Sequence, residues 1–229
     1  MKSQQSGFTL VEIAIVLVII GLLLGGILKG QELINSAKVK NLANDFRVIP
    51  TYIYGYQDKF KSLPGDDPNV AAHVTGSTAA TTPASGARGN GVIEGAWNTT
   101  TNTDEAFLFW QHVRLANLAA GPTTVTDPTY RPQNAVGGNV GLTSATSTQT
   151  VGGLAGTYLV CSSAILGKFA KQLDVQMDDG NTATGSMRVI ADNTTNASPI
   201  PNSGATCTSS PTPATCVDDA TNYTVCMAF

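Results

Sequence analysis

The pattern of hydrophobic and polar positions divides the first 61 residues into two parts. Residues 13–28 contain no charged side chain, and the apolar run extends back to Phe8 with Glu12 as its only ionisable residue. Beyond Lys29, apolar residues recur at alternating intervals of three and four, which places them on one face of a helix. The residues of this face are Val39, Leu42, Phe46, Ile49, Ile53, Tyr56 and Phe60.

Both parts are predicted to belong to one long helix. The apolar face keeps its phase across Pro50, so the proline should bend the helix without ending it. The helix is therefore expected to run from about Phe8 to about Phe60. Two prolines and a glycine within 63–68 predict its end.

Each half of this helix suggests a different environment. The apolar half, 8–28, has about the 20 residues that cross a bilayer as a helix. The amphipathic half, 29–61, is expected to cover the core of a globular head formed by residues 62–229. Lys2 precedes the apolar run and the head follows it, which predicts that the head lies outside the cytoplasm.

The head is predicted to be an irregular α+β domain with an antiparallel sheet. Ala, Thr, Ser, Gly and Asn dominate 69–103 and 119–153, which indicates long loops and short irregular strands whose borders cannot be placed. The intervening helix should bury Phe107, Trp110, Leu115 and Leu118 as core anchors, an interpretation preferred to an exposed aromatic platform for a sugar. The predicted elements are a helix at 104–118, strands at 157–162, 186–191 and 223–228, and a short helix at about 164–174.

Charge separates the two regions and argues against some functions. Residues 1–61 carry a net charge of +3, whereas residues 62–229 carry −6. An acidic head disfavours direct nucleic-acid binding by that domain. The sequence contains no P-loop, HExxH or GxSxG pattern, so we expect a protein that is not an enzyme and that needs no cofactor.

Three pairs of adjacent carboxylates and one glycine-containing segment are candidates for a calcium site. A calcium loop of the EF-hand type needs alternating oxygen ligands over about 12 residues, and none of these segments supplies them. We therefore expect solvated turns and no metal. The candidates are Asp66 with Asp67, Asp178 with Asp179, Asp218 with Asp219, and the glycine-containing segment Gly89–Glu94.

The apolar run at the N-terminus allows three interpretations. A cleaved secretory signal would need a small-residue cleavage site after the run, but Lys29, Gly30, Gln31 and Glu32 follow it. A plain membrane anchor explains the hydrophobicity but not Glu12, because a carboxylate in hydrocarbon costs about 2.5 kcal/mol or more. The third interpretation uses this acid.

Residues Gly7-Phe8-Thr9-Leu10-Val11-Glu12, after a short polar leader, resemble the prepilin motif of type IV pilins, minor pilins and type II secretion pseudopilins. The resemblance implies that prepilin peptidase removes the leader, residues 1–7, by cutting between Gly7 and Phe8. The new Phe8 amine is then methylated, and the helix stays on the protein. The implied fold is pilin-like, with a long N-terminal helix packed on a small antiparallel sheet.

Glu12 is interpreted as an assembly residue and not as a catalytic one. A carboxylate among bundled apolar helices must be paired or neutralised. The Phe8 amine of the same or a neighbouring subunit would supply the cation and so fix the register. Glycine pairs spaced as GxxxG, Gly21 with Gly25 and Gly26 with Gly30, permit close helix contact. Local melting of the helix near Gly25–Gly30 remains an open alternative.

The four cysteines, at 161, 207, 216 and 226, all lie in the head. An even number outside the cytoplasm predicts two disulfides, for which three connectivities exist. No CxxC spacing is present, which disfavours zinc. We favour Cys207–Cys216, because a turn-prone loop separates them, together with Cys161–Cys226, which would join two predicted strands.

The resemblance implies a structural subunit of a filament that serves adhesion, twitching motility or DNA uptake. The precursor would cross the inner membrane once with a periplasmic head, and then enter an extracellular pilus. Its partners would be copies of itself, other pilins, the prepilin peptidase and the assembly platform. Two alternatives remain: a pseudopilin of a periplasmic pseudopilus, and a membrane-tethered binding module that never polymerises.

Overall fold

The computed structural model describes residues 9–82, 88–145, 151, 153–202 and 216–229. Contacts divide the chain into two units, with the boundary between Lys38 and Val39. This boundary falls inside one continuous helix.

Helix α1 spans Leu10–Phe60 and passes through Pro50 without interruption, which confirms the predicted long helix. Phe8, where the prediction began, lies outside the described residues. The helix ends where Lys61 adopts a left-handed conformation with a φ of 55°. The Lys61 amide donates to the Gln57 carbonyl oxygen at 2.8 Å and so satisfies one of the last helical carbonyls.

The predicted apolar face of α1 is the face that enters the core of the head. Six of its seven residues are buried, and Phe60 is half-buried. The spacing of three and four residues predicts the buried face correctly, because it keeps these apolar side chains on one side of a helix with 3.6 residues per turn. The buried members are Val39, Leu42, Phe46, Ile49, Ile53 and Tyr56.

A four-stranded antiparallel sheet forms the other side of this core. Its strands are β1 (Val140–Ser144), β2 (Tyr158–Leu166), β3 (Met187–Ala191) and β4 (Asn222–Ala228). The spatial order is β1-β2-β4-β3, so β2 and β4 are the central strands. Nearly all residues of β1 and β2 are buried. The α+β layout with a long N-terminal helix and a small antiparallel sheet is confirmed.

Strand β1 lies within 119–153, where short irregular strands were expected but their borders could not be placed. Its glycine, Gly141, weakens the strand signal, but the structure shows why a glycine stands there. A Cβ at this position would lie 1.8 Å from the carbonyl oxygen of Trp97. Glycine in a strand marks such close backbone approach.

The described part of the head contains three further helices: α2 (Val70–His73), α3 (Glu105–Leu115) and α4 (Gly167–Met177). The predicted helix at 104–118 is confirmed as α3, whereas α2 falls in a segment for which loops and short irregular strands were expected. Phe107 and Trp110 are buried as predicted, whereas Leu115 and Leu118 are half-buried.

The boundary predicted between the strand at 157–162 and the following helix was wrong. Strand β2 continues to Leu166, with a register shift between Ser162 and Ile165. Ala164 has a φ of 56° within this irregularity. A bulge admits the extra residues and lets the strand resume pairing with β4, so α4 begins three residues later than expected.

Asp66 and Asp67 do not form the solvated turn that was expected. Their exposed fractions are 2% and 0%. Asp67 accepts hydrogen bonds from the Tyr56 hydroxyl at 2.8 Å and the Asn69 amide at 2.9 Å, and lies 2.7 Å from His73 Nδ1. The sequence did not reveal that Asp67 is buried, because its partner Tyr56 lies on α1, eleven residues earlier.

Asp66 and Glu105 form a second buried acidic contact. Asp66 accepts from the amides of Gly89 and Gly91, so this glycine-containing segment donates hydrogen bonds to a carboxylate. Glu105 is fully buried and accepts from the Glu94 amide at 2.8 Å. Burial, with the nearby charges of Asp66 and Glu94, raises the pKa of Glu105 to about 7.

The predicted Cys161–Cys226 disulfide is present and joins directly opposed residues of β2 and β4. Trp97, Leu159 and Ile190 belong to the buried apolar cluster around it. Cys216 is also disulfide-bonded, while its predicted partner, Cys207, lies outside the described residues.

Replacing both Cys161 and Cys226 by alanine should lower the free energy of unfolding by about 4 kcal/mol. The bridge closes a sequence separation of 65 residues and therefore restricts the unfolded chain strongly. Urea unfolding of the full chain in detergent measures the effect. A midpoint equal to that of the wild type would show that β2 and β4 hold together without the bridge.

The Glu105→Gln variant should remove one component of the pH dependence of stability. The ordinary glutamate pKa is near 4.5, and the folded value is about 7. Wild-type stability therefore falls as pH rises from about 4.5 to 7, because the unfolded chain releases the proton first.

Above pH 7 the variant should be more stable than the wild type by on the order of 3 kcal/mol. Urea unfolding at several pH values, with the exposed Glu32→Gln as control, measures the difference. Parallel curves for wild type and Glu105→Gln between pH 4.5 and 7 would contradict this assignment.

Candidate assembly site on the N-terminal helix

The first part of α1 exposes a continuous apolar surface. Every residue from Leu10 to Lys29 is exposed. Among the described residues, the exposed large apolar side chains all lie between Leu10 and Ile34, apart from Tyr54 and Val175. This segment is long and apolar enough to cross a membrane.

This surface cannot be stable in water. Burying one large aliphatic side chain is worth about 1.5–3 kcal/mol, and residues 10–34 expose sixteen such side chains. Their combined burial is thus worth tens of kcal/mol. Because the helix bonds its own backbone groups internally, either lipid or other apolar helices can cover it.

Glu12 forms a capping box with Thr9 at the start of α1. The Thr9 amide and Thr9 Oγ1 donate to Glu12 Oε2 at 2.9 and 2.8 Å. In return, the Glu12 amide donates to Thr9 Oγ1 at 3.3 Å. This reciprocal arrangement satisfies donors that a helix N-terminus otherwise leaves unpaired.

Sequence reasoning missed this local role of Glu12. The pattern Thr9-Leu10-Val11-Glu12 before an apolar run is itself the signal of a capping box. Gly7 and Phe8, the predicted cleavage and methylation residues, lie outside the described residues. Cleavage between them would create an amine one residue before Thr9, and thus next to the cap.

The glycines of the apolar segment are not required by contacts within the chain. A Cβ added at Gly21, Gly25, Gly26 or Gly30 would meet nothing within 4 Å. The helix also continues through all four residues in this single chain. Among the described residues nothing requires their small size, which leaves these positions open to close contact with another helix.

Lys29 and Glu32 mark the end of the uncharged run. Lys29 Nζ lies 2.6 Å from Glu32 Oε2, and both side chains are about two-thirds exposed. Such an exposed pair contributes at most about 1 kcal/mol to stability. The pair mainly defines where the apolar segment ends, because these charges require water or lipid headgroups around this part of the helix.

The remaining candidate acids are divided between two environments. Asp218 and Asp219 are exposed, as expected for a solvated turn. Asp218 accepts from the Ala220 amide at 2.9 Å, and Asp219 pairs with Lys171 at 2.9 Å. Asp178 is half-buried, which a solvated turn does not explain.

Comparison with known families identifies the N-terminal segment. Residues 2–28 match the family model described as the prokaryotic N-terminal methylation motif, which is the signature of type IV pilins and pseudopilins. The match includes Gly7, Phe8 and Glu12, so the predicted motif is confirmed. No curated protein and no solved structure matches the chain.

The Thr9→Val variant should loosen the first turn of α1 because valine cannot cap it. Loss of an N-cap costs about 1 kcal/mol, so the Glu12 amide should exchange its hydrogen about fivefold faster. Hydrogen exchange of the full chain in detergent micelles measures this.

A matched control is Thr51→Val, which removes a hydroxyl that bonds the Val48 carbonyl in the middle of the same helix. This variant should leave exchange at Glu12 unchanged. Equal exchange at Glu12 in Thr9→Val and wild type would contradict the capping assignment.

Proposed function

We propose that this chain, which carries the type IV pilin and pseudopilin signature, is a structural subunit of a type IV pilus-like filament. Prepilin peptidase would cut the precursor between Gly7 and Phe8, and the Phe8 amine would then be methylated. Before assembly, α1 would anchor the subunit in the inner membrane with its head in the periplasm. Assembly would move it into an extracellular filament, and the protein would have no enzymatic activity.

The observation that carries this proposal is the uncovered apolar surface of residues 10–34. A lipid bilayer covers it before assembly, and apolar helices of neighbouring subunits replace the lipid afterwards. The helix need not refold during this transfer, because its backbone hydrogen bonds are internal in both environments. The matched methylation motif lies on the same segment.

Glu12 would give the filament its register. In a bundle of apolar helices, an unpaired carboxylate is costly. Its capping contact with Thr9 is a hydrogen bond from neutral donors and leaves the negative charge uncompensated. The cationic Phe8 amine of a neighbour compensates it only when the two subunits have the correct axial offset.

The proposed partners follow from this mechanism. They are copies of this chain and other pilins in the filament, the prepilin peptidase, and the platform that drives assembly. Adhesion, twitching motility and DNA uptake are the outputs proposed for the filament. The acidic head supports DNA uptake only through other components, because like charge repels the phosphate backbone.

The Glu12→Gln variant should abolish filaments without disturbing the monomer. Glutamine still accepts the Thr9 hydrogen bonds, but it leaves the Phe8 amine without a counter-ion. An uncompensated charge in an apolar core costs about 3–5 kcal/mol per subunit. Electron microscopy and quantification of sheared filaments from cells that produce the full chain measure the effect.

Two controls separate charge from capping and from general damage. Thr9→Val removes the cap but keeps the Glu12 charge, and Glu32→Gln removes an acid outside the apolar run. Both should retain filaments, and all three variants should accumulate equally in the membrane. Wild-type filament yield from Glu12→Gln would overturn the proposed role of this residue.

A further inference from the structure

Three carboxylates converge where α4 ends. One oxygen from each of Asp174, Asp178 and Asp179 lies within 4.8 Å of the other two. Asp174 belongs to the last turn of α4, and the Asp178 amide donates to its carbonyl oxygen at 2.7 Å. The sequence analysis considered only the adjacent pair, because Asp174 is four residues away and joins the pair through the helical turn.

Asp174 is the unusual member of this cluster. It is 0% exposed, and in the described part of the chain neither carboxylate oxygen has a hydrogen-bond partner of acceptable geometry. No described lysine or arginine nitrogen lies within 4.0 Å of it. A buried acid in this condition requires either a proton or a cation.

Burial raises the pKa of Asp174 to about 6, and the charges of Asp178 and Asp179 act in the same direction. The Gly180 amide and the Arg188 guanidinium oppose this rise only in part. Asp174 thus lies beside two like charges, which a bound cation would offset.

The other two carboxylates are held in place by donors outside the cluster. Asp178 accepts from the Met187 amide at 2.8 Å, and Asp179 accepts from the Thr184 hydroxyl at 2.6 Å. Gly185, with a φ of 75°, allows this approach, since a Cβ there would lie 2.0 Å from Asp178 Oδ2. Each carboxylate oxygen has a second lone pair, so these bonds leave coordinating capacity.

We propose that Asp174, Asp178 and Asp179 form a calcium site that joins the end of α4 to the segment leading into β3. All three ligands are hard oxygen donors, which calcium and magnesium prefer. Calcium takes about 6–8 oxygen ligands in a flexible geometry, whereas magnesium requires a near-ideal octahedron and gives up its water ligands reluctantly. Three carboxylates from a helix end and the turn that follows it suit the more tolerant ion, calcium, with water completing the coordination.

Equilibrium dialysis of the full chain in detergent micelles against radioactive calcium tests this site directly. We expect one ion per chain, with a dissociation constant of about 10⁻³ M or tighter, as in extracytoplasmic calcium modules. Asp174→Asn and Asp179→Asn should each weaken binding at least about tenfold, since each removes one charged ligand. Asp218→Asn, which alters an exposed acid in another turn, is the matched control and should bind normally.

The thermal unfolding midpoint of the same samples supplies a second measurement. Calcium should raise the midpoint of the wild type and of Asp218→Asn, but not that of Asp174→Asn. Asp179 is exposed, so its variant remains informative if Asp174→Asn does not fold.

Absence of saturable binding at millimolar calcium, or unchanged binding by both cluster variants, would overturn the site. So would equal midpoint shifts with calcium and magnesium, which would indicate a non-selective effect. Because monomers are measured, the result is independent of filament assembly.

Discussion

The structure depends on an apolar helical surface that the described part of the chain leaves uncovered. Between Leu10 and Ile34, large aliphatic side chains point to all sides of α1 and none is buried. In a helix, the backbone N–H and C=O groups of a single segment bond one another. These hydrogen bonds are therefore made equally well in lipid and among other helices. The same segment can therefore serve first as an anchor and later as the centre of a polymer, while the second half of α1 stays in the core of the head.

Glu12 is the only ionisable residue in 8–28, and its capping contact is distinct from the role proposed for it in assembly. Its contacts with Thr9 begin the helix, and any good hydrogen-bond acceptor could make them. Its negative charge is not needed for capping, and it is costly in an apolar environment. That cost favours an arrangement in which a cation, available only after the leader is removed, lies close to the carboxylate. Local helix chemistry and assembly thus place different demands on the same side chain.

The sequence predicted features that depend on local periodicity and missed those that depend on distant contacts. The apolar face of α1, helix α3 and three strands were recognised because spacing and turn residues determine them locally. The borders of β1 could not be placed from the sequence, because Gly141 is explained only by the carbonyl of Trp97, 44 residues away. The burial of Asp67 beside Tyr56, and of Asp174 beside an acidic turn, likewise arises from packing that periodicity does not encode.

The central claim is that this chain is processed as a prepilin so that its apolar helix can pack among others. Mass spectrometry of the N-terminal peptide of protein purified from its native cells tests it most directly. The account predicts a mature chain that begins at Phe8 and carries a methyl group on its amine. A chain that still begins at Met1, with residues 1–7 in place, would contradict it and would leave a membrane-tethered domain instead of a filament subunit.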